Sequence, residues 1–288
     1  MRMRKQKNDY TSSMLPQNRR EVFFDVVSLH WKKLLGLGMV VLLFSLPLLI
    51  SRLSCDMYSY QSQYSVQQAS EEEQRLAAYT VAVVSSIKSV MDILFYAILS
   101  VCLAGLSRMI RQYAWEEHVA GFADFIRGIR DNWKQMLPAG VIFGIVLSVY
   151  KILLNMWHFG PEWMFPLSVI HLAVLAFLVL PVLAISISMI PIYSNGFLSA
   201  VKFALAVYLK KPTKVLPTLA LCLLVYIPAI YPNFTWHMVW GIISGAATPF
   251  VLLAWNLRCY DWFDDVINSR YYPELVGRGI LGIQTGNQ

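Results

Sequence analysis

Six stretches of the chain are apolar over the length needed to cross a bilayer, and no other feature restricts the fold as strongly. About 30 Å of hydrocarbon takes roughly 20 residues of helix. Blocks of this size run at about 34–53, 86–107, 136–157, 166–190, 215–232 and 236–256. Of the 288 residues, 57% are hydrophobic and 14% charged, against about 25% charged in an ordinary soluble domain, so little chain remains for a soluble module. The expected fold is all-α: a polytopic membrane protein with six transmembrane helices and amphipathic helices at the cytoplasmic surface.

The basic residues orient it. Eight of them (Arg2, Arg4, Lys5, Lys7, Arg19, Arg20, Lys32, Lys33) precede the first block. Five (Arg108, Arg111, Arg127, Arg130, Lys134) lie in the second connection, four (Lys202, Lys210, Lys211, Lys214) in the fourth, and Arg258, Arg270 and Arg278 in the tail. That places 20 of the 24 basic residues on one side, and the positive-inside rule makes that side the cytoplasm, with both termini there. The expected organisation is a cytoplasmic segment 1–33, a transmembrane domain 34–256 and a cytoplasmic tail 257–288. The net charge of +7 is thus a topology signal spread over several loops. It predicts contact with membrane lipids and no nucleic-acid partner. The N-terminal basic cluster lacks a cleavage site behind its apolar run and does not read as a secretory signal. The outer segment 54–75, acidic at Asp56, Glu71, Glu72 and Glu73 among Ser, Gln and Tyr, reads as a solvated linker.

Between the second and third blocks, Phe122, Phe125, Ile126, Ile129, Trp133 and Met136 recur at helical spacing, with Arg127, Arg130, Asp131 and Lys134 on the other face. This amphipathic helix, near 118–136, suits the inner membrane surface or the flank of the bundle. Phe197, Ala200, Val201, Ala204, Leu205 and Tyr208 repeat the device near 196–211, and EVFFDVVSLHWKKLLGLG repeats it before the first block. Three units of surface helix plus hairpin would account for the chain. Gly140, Gly144 and Ser148, and Gly241 with Gly245, are small-xxx-small patterns expected to let helices approach within the monomer.

The order of landmarks, LLFSLPLLI, AGLSRMIRQYAWEE, GFADFIRGIRDNWKQMLPAG, SAVKFALAVYLKKPTKVLPTLAL and NLRCYDWFDDVINSRYYPELVGRGI, resembles the YesL-like family of bacterial integral membrane proteins over nearly the whole chain. The resemblance implies a cell-membrane protein of Gram-positive type, associated with carbohydrate uptake or its regulation. It supplies no catalytic or binding residue to carry over. The outer segment 54–75 is longer than such proteins usually have.

No nucleotide loop, HExxH or CxxC appears, and the five histidines lack ligand spacing, so neither an enzyme nor a metal or other cofactor is expected. The candidate site is an intramembrane polar cluster. Depth counting puts Lys88 at the outer interface, free to snorkel, with Asp92 one turn inside, level with Lys151 and His171 of the next two helices. The expectation is an Asp92–Lys151 ion pair flanked by Lys88 and His171, closing the outer end of the bundle. Two functions follow: an accessory or regulatory protein that contacts a permease or sensor, or a carrier that moves a small solute or ion past this cluster.

Overall fold

A computed structural model describes residues 15–66, 69–193, 196–230 and 234–280. Arg2, Arg4, Lys5 and Lys7, the end of the fifth block at 231–232 and the tail beyond 280 lie outside the described residues. Among the described residues the regular structure is entirely helical. The main helices are α1 (Arg19–Ser65), α2 (Glu71–Ala114), α3 (Phe122–Met156), α4 (Met164–Val174), α5 (Leu180–Tyr193), α6 (Phe197–Lys210), α7 (Pro212–Leu223) and α8 (Phe234–Phe263). A π turn, Leu175–Val179, joins α4 to α5, another at Asp264–Asn268 extends α8, and α7 runs on into a 3₁₀ segment, Leu224–Ile230. Among the described residues, five helices are long and apolar enough to cross a membrane: Arg19–Ser65, Glu71–Ala114, Phe122–Met156, Met164–Tyr193 and Thr235–Tyr271. Their outward faces carry large apolar side chains such as Leu43, Leu94 and Phe177, each more than 60% exposed, a surface suited to lipid and costly in water.

Several helices overrun the apolar blocks because local chemistry lets them continue. The side chain of Asn18 accepts from the Glu21 N–H at 3.0 Å and starts α1, which then runs unbroken for 47 residues, about 70 Å at 1.5 Å per residue. Ser70 and Glu73 form a reciprocal capping box at the start of α2, satisfying two backbone donors that would otherwise be free. The three acidic residues Glu71, Glu72 and Glu73 sit in that first turn, where the helix dipole favours negative charge. The outer segment expected as a linker is therefore mostly helical, α1 running to Ser65 and α2 starting at Glu71.

The amphipathic stretches also differ from expectation. α3 is one 35-residue helix, so Phe122–Met136 is not a separate surface helix. It continues an antiparallel pairing with α2, the most extensive helix pair in the molecule. Small residues set the approach. A Cβ at Gly105 would fall 2.7 Å from the Phe125 ring, one at Gly128 would fall 3.0 Å from Gly105 Cα, and one at Gly144 would fall 3.0 Å from Ile93 Cα. Ser148 donates to the Ser89 carbonyl, and Arg108 meets Asp131 at 2.7 Å. Phe125 and Met136 are buried against protein, while Phe122, Ile126 and Trp133 face outward. The N-terminal amphipathic stretch is likewise the start of α1 rather than a helix apart. Only α6 stands alone, with Ala200, Ala204, Val207 and Tyr208 turned inward.

Pro181 shows how a break is absorbed. It has no N–H to offer the preceding turn, the helix widens into the Leu175–Val179 π turn, and the Tyr208 hydroxyl on α6 donates to the Phe177 carbonyl. The carbonyl that the proline leaves free thus becomes the anchor for α6. On the other side of the bundle, α8 packs along α1, with Gly38 against the Ala246 backbone and Gly241 and Gly245 against Leu49 and Leu42.

Both described ends of the chain lie at the same end of this bundle. Arg19, 4% exposed, donates to Asp264 at 2.8 Å, lies 3.4 Å from Asp261 and donates to the Arg278 carbonyl. Arg278 reaches Glu117 at 3.3 Å and stacks 4.5 Å from the Trp115 ring centroid. Arg111 shares Glu117, and Lys211 pairs with Asp265. The segment after α8 therefore clasps the start of α1, the α2–α3 connection and the end of α6.

Candidate functional site

The polar cluster lies at the opposite end, 33 residues along α1 from Arg19 at Arg52, about 50 Å away at helical rise. Asp92 is 1% exposed. Lys88, one turn earlier on α2, donates to its Oδ2 at 2.6 Å, and Ser51 of α1 donates to Oδ1 at 2.9 Å. Lys151 of α3 lies 3.7 Å from Oδ2, an ion-pair distance beyond direct hydrogen bonding. The carboxylate thus joins three helices. Its position satisfies a charge that would be costly alone in the membrane.

Lys88 differs from expectation: instead of snorkelling outward it turns in and is the nearest cation to Asp92, because the i, i+4 spacing puts both on one helix face. His171 also departs from its expected place. Its Nε2 lies 2.9 Å from the Val146 carbonyl, so it pins α4 to the α3 backbone more than a turn from Lys151. The structure brings together Lys88, Asp92 and Lys151 and leaves His171 outside the group.

Beside them sits a second polar chain. Arg52 of α1 contacts His237 Nε2 of α8 at 3.1 Å, and His237 Nδ1 contacts Asp56 Oδ2. An arginine only donates, so Nε2 must accept and the proton must sit on Nδ1, pointing at Asp56. The imidazole is therefore a neutral bridge between a guanidinium and a carboxylate. His237 is 3% exposed. In the layer as a whole, Arg52, Lys88 and Lys151 face Asp56 and Asp92, leaving one positive charge in excess.

Inward from Arg52 and His237 lies a cavity of about 610 Å³ between α1, α2, α7 and α8. Leu48, Leu99, Leu103, Leu223 and Val251 are among its walls, and Trp255 and Ala184 are at its far end. Asp92 and the two lysines are not among its lining residues, so the predicted cluster ties the helices together, while the cavity belongs to the Arg52–His237 chain. Sequence reasoning missed Ser51, Arg52, Asp56 and His237 as site residues. Arg52 and Asp56 stand at i, i+4 spacing, a readable signal once α1 is known to continue past the membrane block. Nothing in the sequence pairs them with a histidine 181 residues away. Among the described residues no group of three or more His, Cys, Asp or Glu side chains could hold a metal ion.

No protein-family model matches the chain, and neither do curated proteins or solved structures.

Proposed function

We propose that this chain is a six-span protein of the bacterial cell membrane, both termini cytoplasmic, that acts through binding as an accessory or regulatory partner of a permease or sensor. It catalyses no reaction. The observation that carries the reading is that the bundle is tied at both ends. Arg19, Glu117, Asp264 and Arg278 clasp one end, and Asp92 joins three helices at the other. A carrier that alternates its access needs one end to open at each stage; a fixed bundle suits a scaffold that presents surfaces.

The sixth span is supported by parity. The start of α1 and the segment after α8 meet at one end, which requires an even number of crossings, and five long helices leave one to be supplied. The twelve residues of α7 and seven of the 3₁₀ segment extend about 18 Å and about 14 Å, together close to the hydrocarbon thickness. The density of Lys and Arg at the clasped end supports a cytoplasmic placement for it. Of the three expected units of surface helix plus hairpin, only the last has a separate helix, α6, before its hairpin. Carbohydrate uptake as the setting comes from the YesL-like resemblance.

The alternative, a carrier for a small solute or ion, is favoured by the cavity beneath Arg52. Affinity purification from native membranes after cross-linking, with mass spectrometry, together with solute flux in proteoliposomes, separates the two. A membrane permease or sensor subunit should be enriched and the purified chain should give no uptake. Uptake by the chain alone would overturn the accessory reading.

A further inference from the structure

We infer that the cavity beneath Arg52 is a binding site for a phosphate-headed lipid, its hydrocarbon chain lying among α1, α2, α7 and α8 and its headgroup meeting Arg52. This goes beyond the accessory role and does not depend on it.

The shape fits one chain. Along α1 the lining runs from Val41 to Arg52, about 17 Å at helical rise, close to the depth of one leaflet, about 15 Å. The volume of about 610 Å³ lies within the usual range for a small-molecule site. The walls are more apolar than their residue types suggest, because the hydroxyls of Ser45, Tyr226, Ser244 and Thr248 are already used. Ser45 donates to the Leu42 carbonyl at 3.0 Å, Ser244 to the Gly241 carbonyl at 3.1 Å and Thr248 to the Ser244 carbonyl at 2.8 Å. Tyr226 and Thr248 bond each other at 3.0 Å. A polar solute would find little to replace its water along this column, whereas a hydrocarbon chain loses nothing.

The outer end has the opposite character. Among the described residues Arg52 makes one hydrogen bond, to His237, and the guanidinium has five donors in a fork that matches phosphate oxygens. The surrounding layer carries one more cation than anion, with Lys88 and Lys151 held by Asp92 and Asp56 held by His237. A phosphate at Arg52 would balance that excess. The apolar column therefore selects a chain, and the charged rim selects an anion at its end.

The full chain, purified in detergent and delipidated, is titrated with phosphatidylglycerol and with diacylglycerol of the same acyl chains, which lacks the phosphate, and bound lipid is counted by native mass spectrometry. Phosphatidylglycerol should bind at one site about tenfold more tightly, as expected for one added charge-assisted contact. Arg52→Gln should remove that preference while keeping chain binding. Ser45→Phe and Leu223→Trp, which fill the column from facing helices, should each lose both lipids; helical circular dichroism and the unliganded melting temperature identify which of the two is folded and counts. Millimolar inorganic phosphate should not displace the lipid. Equal binding of the two lipids, a preference that survives Arg52→Gln, or displacement by phosphate alone would each overturn the assignment.

Discussion

Asp92→Ala is expected to be the most damaging single change in the membrane region, lowering unfolding free energy by roughly 3 kcal/mol, the low end of the range for breaking a buried pair. The low end applies because Lys88 and Lys151 keep side-chain exposures of 15% and 24%, so each stranded ammonium retains some access to water or headgroups. Lys151→Met should cost less, about 1 kcal/mol, since Lys88 still holds the carboxylate at 2.6 Å and the longer contact is the weaker one. Combining Asp92→Ala with Lys88→Met and Lys151→Met should recover at least half of the loss, because the stranded charges go with their partner. Detergent-to-SDS titration of each variant measures all three. A triple variant as unstable as Asp92→Ala would mean that the three groups do not act as one unit.

Gly38→Ala should cost about 1–3 kcal/mol by overpacking. A Cβ at this position would sit 2.6 Å from the Ala246 carbonyl oxygen and 2.8 Å from its Cα. Both are backbone atoms of α8, so no side chain can swing aside and the helices must separate, loosening a contact that runs the length of α1. Gly36→Ala, two residues earlier on the same helix, meets nothing within 4 Å and should be neutral or gain up to about 1 kcal/mol from helix propensity. The same SDS titration compares them. Equal effects at the two positions would show that the α1–α8 approach does not depend on Gly38.

Much of this architecture is readable in the chain. Apolar length located five long helices, and the small-residue patterns at Gly140, Gly144 and Ser148 and at Gly241 and Gly245 do mark internal helix contacts. Depth counting placed Asp92 with Lys151. It failed for His171 because a count along helices places backbones and not side-chain ends, and this imidazole reaches the Val146 carbonyl, more than a turn along α3 from Lys151. Segment 54–75 looked like a linker because its residues are polar; the Ser70-to-Glu73 capping box was the local sign of a helix. With α1 read as ending near residue 53, Arg52 and Asp56 did not fall on one helical face. The amphipathic stretch at 122–136 had an apolar stripe equally suited to lipid and to protein, and Gly105 and Gly128 on two different helices decided it.

The proposed arrangement is an even-crossing bundle with the clasped termini inside and the Asp92–Arg52 layer toward the outside. Single cysteines at Ser65, on the far tip of α1, and at exposed Ser269, beside the clasp, are labelled with a membrane-impermeant maleimide in intact cells, with the unsubstituted chain as blank. Ser65→Cys should react in intact cells and Ser269→Cys only after permeabilisation. Labelling of both from outside, or of Ser269→Cys alone, would contradict the account.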